Sequence, residues 1–294
     1  PLSCAICRRP TDPALVELLL AKGADANGPR DRVPPLLLAV EDGQTEIARS
    51  LLAHGADIRV RGGYGRTVLM YAENPEIVRL LLDKGAEIDA VDELGYSALD
   101  EASDPEIVRL LLDKGAEIEK SGTDSWSALS LAALRWQKDK AQLLLERWAA
   151  IELRDGSQRT PLLLAAGAGE AEMVKLLLDK GADLHAKTDE GRTALMTAAG
   201  SNDKTATAVV ELLLERGLRI DEATKAGVTA LMVAAVEGRV EMVKLLLSKG
   251  ADARAKTDEG RTALMEAAGC DEKIAAEVVA LLLDRGAEIE ATTK

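Results

Sequence analysis

The chain has 294 residues, no phenylalanine and 2% aromatic residues, so its core must be built from aliphatic side chains. Its net charge of −13 argues against the basic surface that nucleic-acid binding requires, and no apolar run approaches the roughly 20 residues that cross a membrane. Three cysteines cannot form an even-numbered disulfide framework, which favours a reducing compartment and a cytoplasmic location.

The sequence is built from repeats. Residues 172–200 recur as residues 241–269 with 25 of 29 positions identical, which unrelated segments do not show by chance. Inside this long repeat lies a shorter one that ends in Leu-Leu-Leu-x-x-Gly-Ala or a close variant. Successive copies lie 30 to 36 residues apart, and Trp148 takes the glycine position in one of them. The glycines of the other copies are Gly23, Gly55, Gly85, Gly115, Gly181, Gly217, Gly250 and Gly286.

This spacing predicts a single array over residues 1–294, made of about nine units. In each unit a threonine or serine caps a short first helix, because its hydroxyl can accept hydrogen bonds from exposed N–H groups. A second helix carries the leucines and stops at the glycine, which adopts a left-handed conformation at little cost. A polar turn leads to the next unit. Units seven and nine carry three extra residues, which are expected to lengthen the link between the two helices. The approximate unit bounds are 1–28, 29–61, 62–91, 92–121, 122–154, 155–187, 188–223, 224–256 and 257–294.

The sixth unit carries the most specific motif, with a Thr-Pro-Leu start, an Ala-Ala pair and a Gly-Ala-Asp end. These residues are Thr160–Leu162, Ala165–Ala166, Gly169, Val174, Leu177–Leu178 and Gly181–Asp183. In this pattern the unit resembles the ankyrin repeat nearly position by position. The resemblance implies an all-α ankyrin-repeat solenoid of helix-turn-helix units with projecting β-turn fingers, curved so that a concave face holds protein partners. Met196, Met232 and Met265 replace the family's histidine, which leaves this fold prediction unchanged.

The two ends of the chain also lie within repeats. Residues 1–6 align with residues 161–166, so the chain begins at the second residue of a Thr-Pro-Leu opening. No polar capping unit follows Ile289, although repeat arrays normally need one to protect the terminal core. These observations favour a segment of a longer protein.

All six aromatic residues lie between Tyr64 and Trp148, in fewer than a third of the residues. Tyrosine and tryptophan are enriched at protein interfaces, where they bury much area at low entropic cost. Tyr64, Tyr96 and Trp126 lie shortly before the caps of three successive units. We interpret them as an aromatic ladder along the turns that binds a protein partner. The alternative is that these aromatic residues occur on the turns by chance and have no function.

Three further residues belong to this candidate partner-binding site. Trp136 is predicted at the end of a first helix, and Arg66 and Arg135 can add charged contacts. Tyr71 and Trp148, by contrast, are predicted to be packed in the core. Because Trp148 lacks the conformational freedom of glycine, the helix that it ends is predicted to be remodelled, which would make unit five a weak joint.

Catalytic and metal-binding motifs are missing from the sequence. It contains no Ser/His/Asp set, phosphate-binding glycine loop or HExxH zinc motif. Cys4-x-x-Cys7 suggests a redox or zinc pair, but Cys4 aligns with Leu164 at a core position and no nearby histidine completes a metal site. Cys270 falls in a predicted loop. We therefore predict a protein that is not an enzyme and binds no cofactor or metal.

The leading functional hypothesis is a monomeric, non-enzymatic scaffold that binds one protein partner on the concave face, centred on units three to five. The acidic charge favours a partner with a basic surface, and neither nucleic acid nor a membrane is expected. Two alternatives stay open. One is an inhibitor or immunity-type protein that occludes an enzyme, and the other is a regulatory ankyrin segment of a larger protein.

Overall fold

The computed structural model describes residues 2–6, 12–29, 32–119, 126–269 and 272–289. Over these residues, short helices alternate with turns and no extended strand forms. The first helices of successive units are Leu2–Ile6, Pro35–Glu41, the 3-10 helix Val68–Tyr71, Ala98–Glu101, Ala128–Leu134, Pro161–Ala168, Ala194–Ala199, Ala230–Val236 and Ala263–Ala267. The second helices are Pro13–Ala21, Thr45–Ala53, Pro75–Asp83, Pro105–Asp113, Lys138–Glu146, Ala171–Asp179, Ala206–Glu215, Val240–Ser248 and Glu272–Asp284. The prediction of an all-helical repeat array is confirmed.

The chain divides into two compact parts. The N-terminal part comprises residues 1–128 with 146–149, and the C-terminal part comprises residues 129–145 with 150–294. In the C-terminal part, helix Ala194–Ala199 packs against the first helices of the units before and after it, and helix Ala206–Glu215 does the same among the second helices. Each unit therefore buries its apolar surface against its neighbours, as repeat arrays do.

Buried hydroxyl groups cap the first helices of units six to nine, whereas Pro34, which has no hydroxyl, precedes helix Pro35–Glu41. The side chain of Thr160, which is fully buried, accepts a hydrogen bond from the N–H of Leu163 at 3.4 Å. The same contact, at the same distance, is made by Thr193, Thr229 and Thr262. A hydroxyl in this position satisfies an N–H group that has no partner within the helix, which fixes where the helix begins.

The glycines at the ends of the second helices are all left-handed, with φ between 84° and 102° from Gly23 to Gly286. The predicted left-handed conformation of these glycines is confirmed. Trp148 was predicted to be packed and to remodel the helix that it ends, and both of these predictions are wrong. Trp148 adopts the same conformation, with φ of 68°, and the helix before it keeps its nine residues. A Cβ atom added at the equivalent glycines from Gly23 to Gly250 would meet no heavy atom within 4 Å. A side chain in this position therefore projects into open space, and Trp148 is 91% exposed instead of packed.

The leucine triplet of each second helix is only partly core. In helix Ala171–Asp179, Leu177 is fully buried, whereas Leu176 and Leu178 are half-buried. The leucine four residues before the left-handed glycine or tryptophan is buried in the same way in every unit from Leu51 to Leu282. This leucine is the most buried of its triplet, because neighbouring residues of a helix point in different directions. In three of the helices a second leucine is buried as well, namely Leu80, Leu112 and Leu247.

The extra residues of units seven and nine are accommodated differently. Six residues, 200–205, separate the two helices of unit seven, whereas two residues separate Pro161–Ala168 from Ala171–Asp179. The predicted longer link is therefore present in unit seven. In unit nine, the second helix Glu272–Asp284 has 13 residues, compared with nine in Val240–Ser248. There the additional residues extend the helix itself.

Candidate functional site

The turns between units share one closed geometry. In the turn Asp92–Tyr96, the N–H of the first residue donates to the carbonyl oxygen of the fifth at 3.0 Å. The turns that begin at Gly62, Asp155, Thr188, Thr224 and Thr257 close in the same way, at 2.9 to 3.0 Å. We call the third residue of each closed turn the turn tip. The turn tips are Tyr64, Leu94, Ser157, Glu190, Ala226 and Glu259.

Backbone hydrogen bonds join neighbouring turns within each part. In the N-terminal part, the N–H of Glu93 donates to the carbonyl oxygen of Tyr64 at 2.9 Å. In the C-terminal part, the N–H of Lys225 donates to the carbonyl oxygen of Glu190 at 3.1 Å, and Asp258 bonds to Ala226 in the same way. Successive turn tips are therefore held side by side.

Tyr64 and Leu94 are the exposed apolar turn tips of the N-terminal part. The Tyr64 side chain is 74% exposed and that of Leu94 is 50% exposed. Tyr64 is also left-handed, with φ of 58°, between Gly63 and Gly65. A bulky residue rarely adopts this conformation, and its presence on a turn is a reason to look for function.

The predicted ladder of Tyr64, Tyr96 and Trp126 is not in register. Tyr64 is a turn tip, three residues before its cap, whereas Tyr96 and Trp126 directly precede the caps Ser97 and Ser127. Both of these later aromatics are half-buried. Leu94, which the sequence reasoning overlooked, is the true counterpart of Tyr64 on the next turn, and the register of the two caps could have identified it.

Arg66 is engaged within its own part of the chain. Its guanidinium lies 2.7 Å from the Glu101 carboxylate and 5.0 Å from the centre of the Tyr71 ring. Tyr71 is half-buried, and its hydroxyl would lie 2.5 Å from a Cβ atom added at Gly62. The ring thus occupies the space into which other turns direct an aspartate or threonine side chain. Because Arg66 is already paired, it is less available to a partner than its charge suggests.

Arg135 and Trp136 belong to the C-terminal part, whereas the other four predicted site residues belong to the N-terminal part. Both are exposed, and Trp136 is 53% exposed. Trp136 is left-handed, with φ of 63°, in the position that Gly169 and Gly238 occupy after their first helices. Unit five therefore has a left-handed tryptophan after each of its two helices, where several other units have left-handed glycine.

One unusual residue escaped the sequence reasoning. Lys140 is 1% exposed in helix Lys138–Glu146, at the position that Ile77 and Met173 occupy in other units. A lysine at an otherwise apolar core position in the repeat alignment was the available signal. Buried lysines are rarely found without compensating interactions, and Lys140 does make such interactions.

Replacing Trp148 with glycine is expected to raise the free energy of unfolding by about 1 kcal/mol, because it removes the cost of a left-handed tryptophan and loses little packing. Urea denaturation followed by circular dichroism measures the change. Trp148→Ala is the matched control, since it removes the indole but keeps a Cβ atom in the left-handed conformation. Equal stabilisation by glycine and alanine would contradict the backbone explanation.

The described residues hold no group of three or more side chains suited to a metal ion. The side chain of Cys4 and the residues Cys7 and Cys270 lie outside the described part of the chain, as does any pairing of these thiols. Among the turn tips, the Glu190 carboxylate favours its charged form. A hydrogen bond from the Thr188 hydroxyl, at 2.8 Å, lowers the pKa of Glu190. Two of the later turn tips, Glu190 and Glu259, are thus acidic, whereas the earlier tips Tyr64 and Leu94 are apolar.

In the C-terminal part, a groove of about 950 Å³ runs along helix Val240–Ser248. It is bounded by residues 201–204 of the longer link in unit seven and by Ile274 of the last helix. Its charged groups include Lys244, which bonds to Glu241 and Glu277 at 2.9 and 3.0 Å. These hydrogen bonds raise the pKa of Lys244, and a hydrogen bond from Thr205 lowers that of Asp203. The charges of Lys244 and Asp203 in the groove are thus already engaged within the protein.

Comparison with known proteins gives one family. The profile described as "Ankyrin repeats (3 copies)" matches six overlapping stretches that together span residues 2–293. These stretches are residues 2–92, 65–122, 94–188, 129–224, 168–257 and 206–293. No curated protein matches the chain.

Ankyrin repeats are generally protein–protein interaction modules and are typically non-enzymatic. Among the described residues, no helix combines the length and the apolar composition that crossing a bilayer requires. The helix pairs, the left-handed helix ends, the hydrogen-bonded turns and a profile match over almost every residue lead to one conclusion. The chain belongs to the ankyrin-repeat family.

Proposed function

We propose that this chain is a monomeric, non-enzymatic scaffold whose protein partner binds the turn tips of the N-terminal part. The observation that carries the proposal is the pair of exposed apolar side chains, Tyr64 and Leu94, on neighbouring turns. Tyr96 and Trp126, each half-buried beside a cap, contribute their exposed edges. Arg66 takes a smaller role at the margin of this contact, and Arg135 and Trp136 are proposed as separate partner-binding residues of the C-terminal part.

Composition of the turn tips supports the choice of this region. Ser157, Glu190 and Glu259 are polar tips and Ala226 is small, whereas Tyr64 and Leu94 carry large apolar side chains. Single exposed apolar residues are common on protein surfaces, but two on adjacent turns form a patch. Aromatic residues at the centre of an interface are typical hot spots, each contributing about 2 kcal/mol or more.

The turns are also rigid before any partner binds. Oδ1 of Asp92 accepts hydrogen bonds from the N–H groups of Leu94 and Tyr96, both at 2.9 Å. The hydrogen bond from Glu93 to Tyr64 joins the two turns. Because the backbone is already ordered, binding at these tips loses little conformational entropy, which favours affinity.

The partner is expected to carry a basic surface, since the chain has a net charge of −13. Complementary charge mainly accelerates association and excludes wrong partners. The contribution of charge is visible as a decrease in captured partner when the salt concentration of the binding buffer is raised.

The proposal is tested by affinity capture from cells of the source organism, with quantitative mass spectrometry. The test variant carries Tyr64→Asn and Leu94→Ser. Asparagine tolerates the left-handed conformation, so the turn should persist. The control variant carries Glu190→Ala and Glu259→Ala at the same turn position. We expect a partner retained by wild type and control to be reduced at least tenfold with the test variant.

Circular dichroism establishes that all three proteins are folded. If the test variant retains the partner as well as wild type does, Tyr64 and Leu94 are not the binding surface and the proposal is wrong. If the control variant loses the partner instead, the acidic turns of the C-terminal part carry the interaction.

A further inference from the structure

The turn that carries Tyr64 differs from the other closed turns in its first residue. This residue is Gly62 in unit three. The other closed turns begin with an aspartate or a threonine, which are Asp92, Asp155, Thr188, Thr224 and Thr257. Gly62 has a negative φ of −97°, so no left-handed conformation requires glycine here. The space around Gly62 gives the reason for glycine instead.

The ring of Tyr71 fills that space. A Cβ atom added at Gly62 would lie 2.5 Å from the Tyr71 hydroxyl oxygen and 2.9 Å from two carbons of its ring, closer than a side-chain carbon approaches its neighbours in proteins. The Tyr71 hydroxyl donates to the carbonyl oxygen of Gly63 at 3.4 Å. Arg66 holds the ring by a cation–π contact at 5.0 Å and is itself paired with Glu101 at 2.7 Å. The ring and a side chain at position 62 therefore exclude each other.

An acceptor at the first residue determines the hydrogen bonds of a closed turn. In unit six, Oδ1 of Asp155 accepts from the N–H groups of Ser157 and Arg159, at 2.9 and 2.8 Å. Glycine has no side chain that could accept in this way. In unit three the N–H of Arg66 donates instead to the carbonyl oxygen of Gly63, at 3.3 Å. The two turns therefore differ in their hydrogen bonds, although both are closed.

The conformation of the tip differs as well. The turn tips all lie in the described part of the chain, and among them Tyr64 alone is left-handed, with φ of 58°. This conformation is unfavourable for tyrosine and persists where the surroundings impose it. Because φ determines the direction of the Cβ atom, the Tyr64 side chain leaves its turn in a direction that the other tips do not share.

We propose that Tyr71 positions Tyr64 for the protein partner. The Tyr71 ring keeps an acceptor out of position 62, and the turn that forms without one holds Tyr64 in the left-handed conformation that the partner recognises. This role rests on the function proposed for Tyr64 and Leu94, and it adds a residue that sets a tip without being one. Two unusual features coincide here, because the closed turn that begins with glycine is also the one whose tip is left-handed.

Unit six contains the alternative arrangement. Asp155 corresponds to Gly62, and Leu164 corresponds to Tyr71. The two turns are otherwise built alike, since an arginine directly before each turn donates to two carbonyl oxygens at 2.6 to 2.9 Å. The double variant Gly62→Asp, Tyr71→Leu therefore copies into unit three a pair of residues that the chain already combines. It keeps both apolar turn tips.

The conformation of Tyr64 is measured by backbone NMR chemical shifts, which report the sign of φ. We expect a positive φ in wild type and a negative φ in the double variant, where the aspartate accepts from the N–H of Tyr64 as Asp155 does from that of Ser157. Tyr71→Phe is the conservative variant and should keep the positive φ, since its ring still covers Gly62. A positive φ in the double variant would mean that Tyr71 does not determine the turn, and the proposal would be wrong.

Binding is measured by the affinity capture used for the turn tips, with the protein that wild type retains as the probe. The double variant should capture about fivefold less of it, although both apolar tips remain, and Tyr71→Phe should restore the wild-type amount. Tyr71→Leu alone makes a smaller change. It removes the ring without supplying the acceptor, so its capture should lie between those of wild type and the double variant. Circular dichroism establishes that the variants are folded.

The outcomes separate this role from the proposed function. If the variant with Tyr64→Asn and Leu94→Ser loses the partner but the double variant retains it, the tips bind and Tyr71 does not position them. If the tip variant retains the partner, the proposed function is wrong and the role of Tyr71 is wrong with it. A loss with Tyr71→Phe as large as that with the double variant would also overturn the role assigned to the ring.

Discussion

Truncation of Leu177 to alanine is expected to lower the free energy of unfolding by about 2–5 kcal/mol. Leu177 is fully buried in helix Ala171–Asp179, which packs against helix Pro161–Ala168 of its own unit and helix Ala206–Glu215 of the next. Removing three carbon atoms there loses the transfer free energy and leaves a cavity between these helices. The aliphatic core contains no phenylalanine that could move in to fill the space.

Leu176→Ala is the matched control for this prediction. It removes the same atoms from the preceding residue, which is only half-buried, so its cost should be less than half of that at Leu177. Urea denaturation of the two variants, followed by circular dichroism, gives the comparison. Equal costs would mean that the leucines of this helix are buried as a group and that the assignment of Leu177 as its core leucine is wrong.

Replacement of Asp155 by alanine is expected to lower the free energy of unfolding by about 2–3 kcal/mol. Asp155 is 2% exposed, and its carboxylate accepts hydrogen bonds from the N–H groups of Ser157 and Arg159 at 2.9 and 2.8 Å. It also pairs with the Arg159 guanidinium at 2.8 Å. The alanine variant loses the ion pair and leaves two N–H groups of the turn without their acceptor.

The Asp155→Thr variant distinguishes the stability that comes from the turn hydrogen bond from the stability that comes from the ion pair. Thr188 and Thr224 occupy the same turn position in later units, and each accepts from the N–H four residues on, at 3.3 and 3.1 Å. Threonine at position 155 should therefore recover part of the stability that alanine loses. The comparison uses the same urea titrations, and a threonine variant as unstable as the alanine variant would show that the ion pair, not the turn hydrogen bond, holds this turn.

The fold was largely predictable because the same residue pattern recurs in unit after unit. A single Gly-Ala after a leucine triplet says little, but glycines from Gly23 to Gly286 in register predict a common left-handed helix end, and the structure has it. The N-terminal caps of the first helices were predictable in the same way, from the recurring threonines Thr160, Thr193, Thr229 and Thr262. These features depend on local backbone chemistry, which neighbouring residues determine.

The candidate site was less predictable, because exposure depends on the direction of each side chain. Trp148 was expected to be packed, since an aromatic next to a leucine-rich helix usually is, but the Cβ at that position points away from the protein. Leu94 was overlooked because leucine is the commonest core residue of this chain. Its position three residues before the cap Ser97 matches that of Tyr64 before Thr67, and the closed turn, with its hydrogen bond from Asp92 to Tyr96, shows that Leu94 lies at the tip.

The residue that ends each second helix has a consequence for how such proteins change over generations. From Gly23 to Gly250, a new side chain at this position would touch no neighbour, and a substitution would cost only the backbone strain of about 1–2 kcal/mol per residue. Because the units share the stability of the array, one such cost is tolerable. A single substitution at these positions can therefore add a surface side chain without displacing core residues, and Trp148 occupies the same position in unit five.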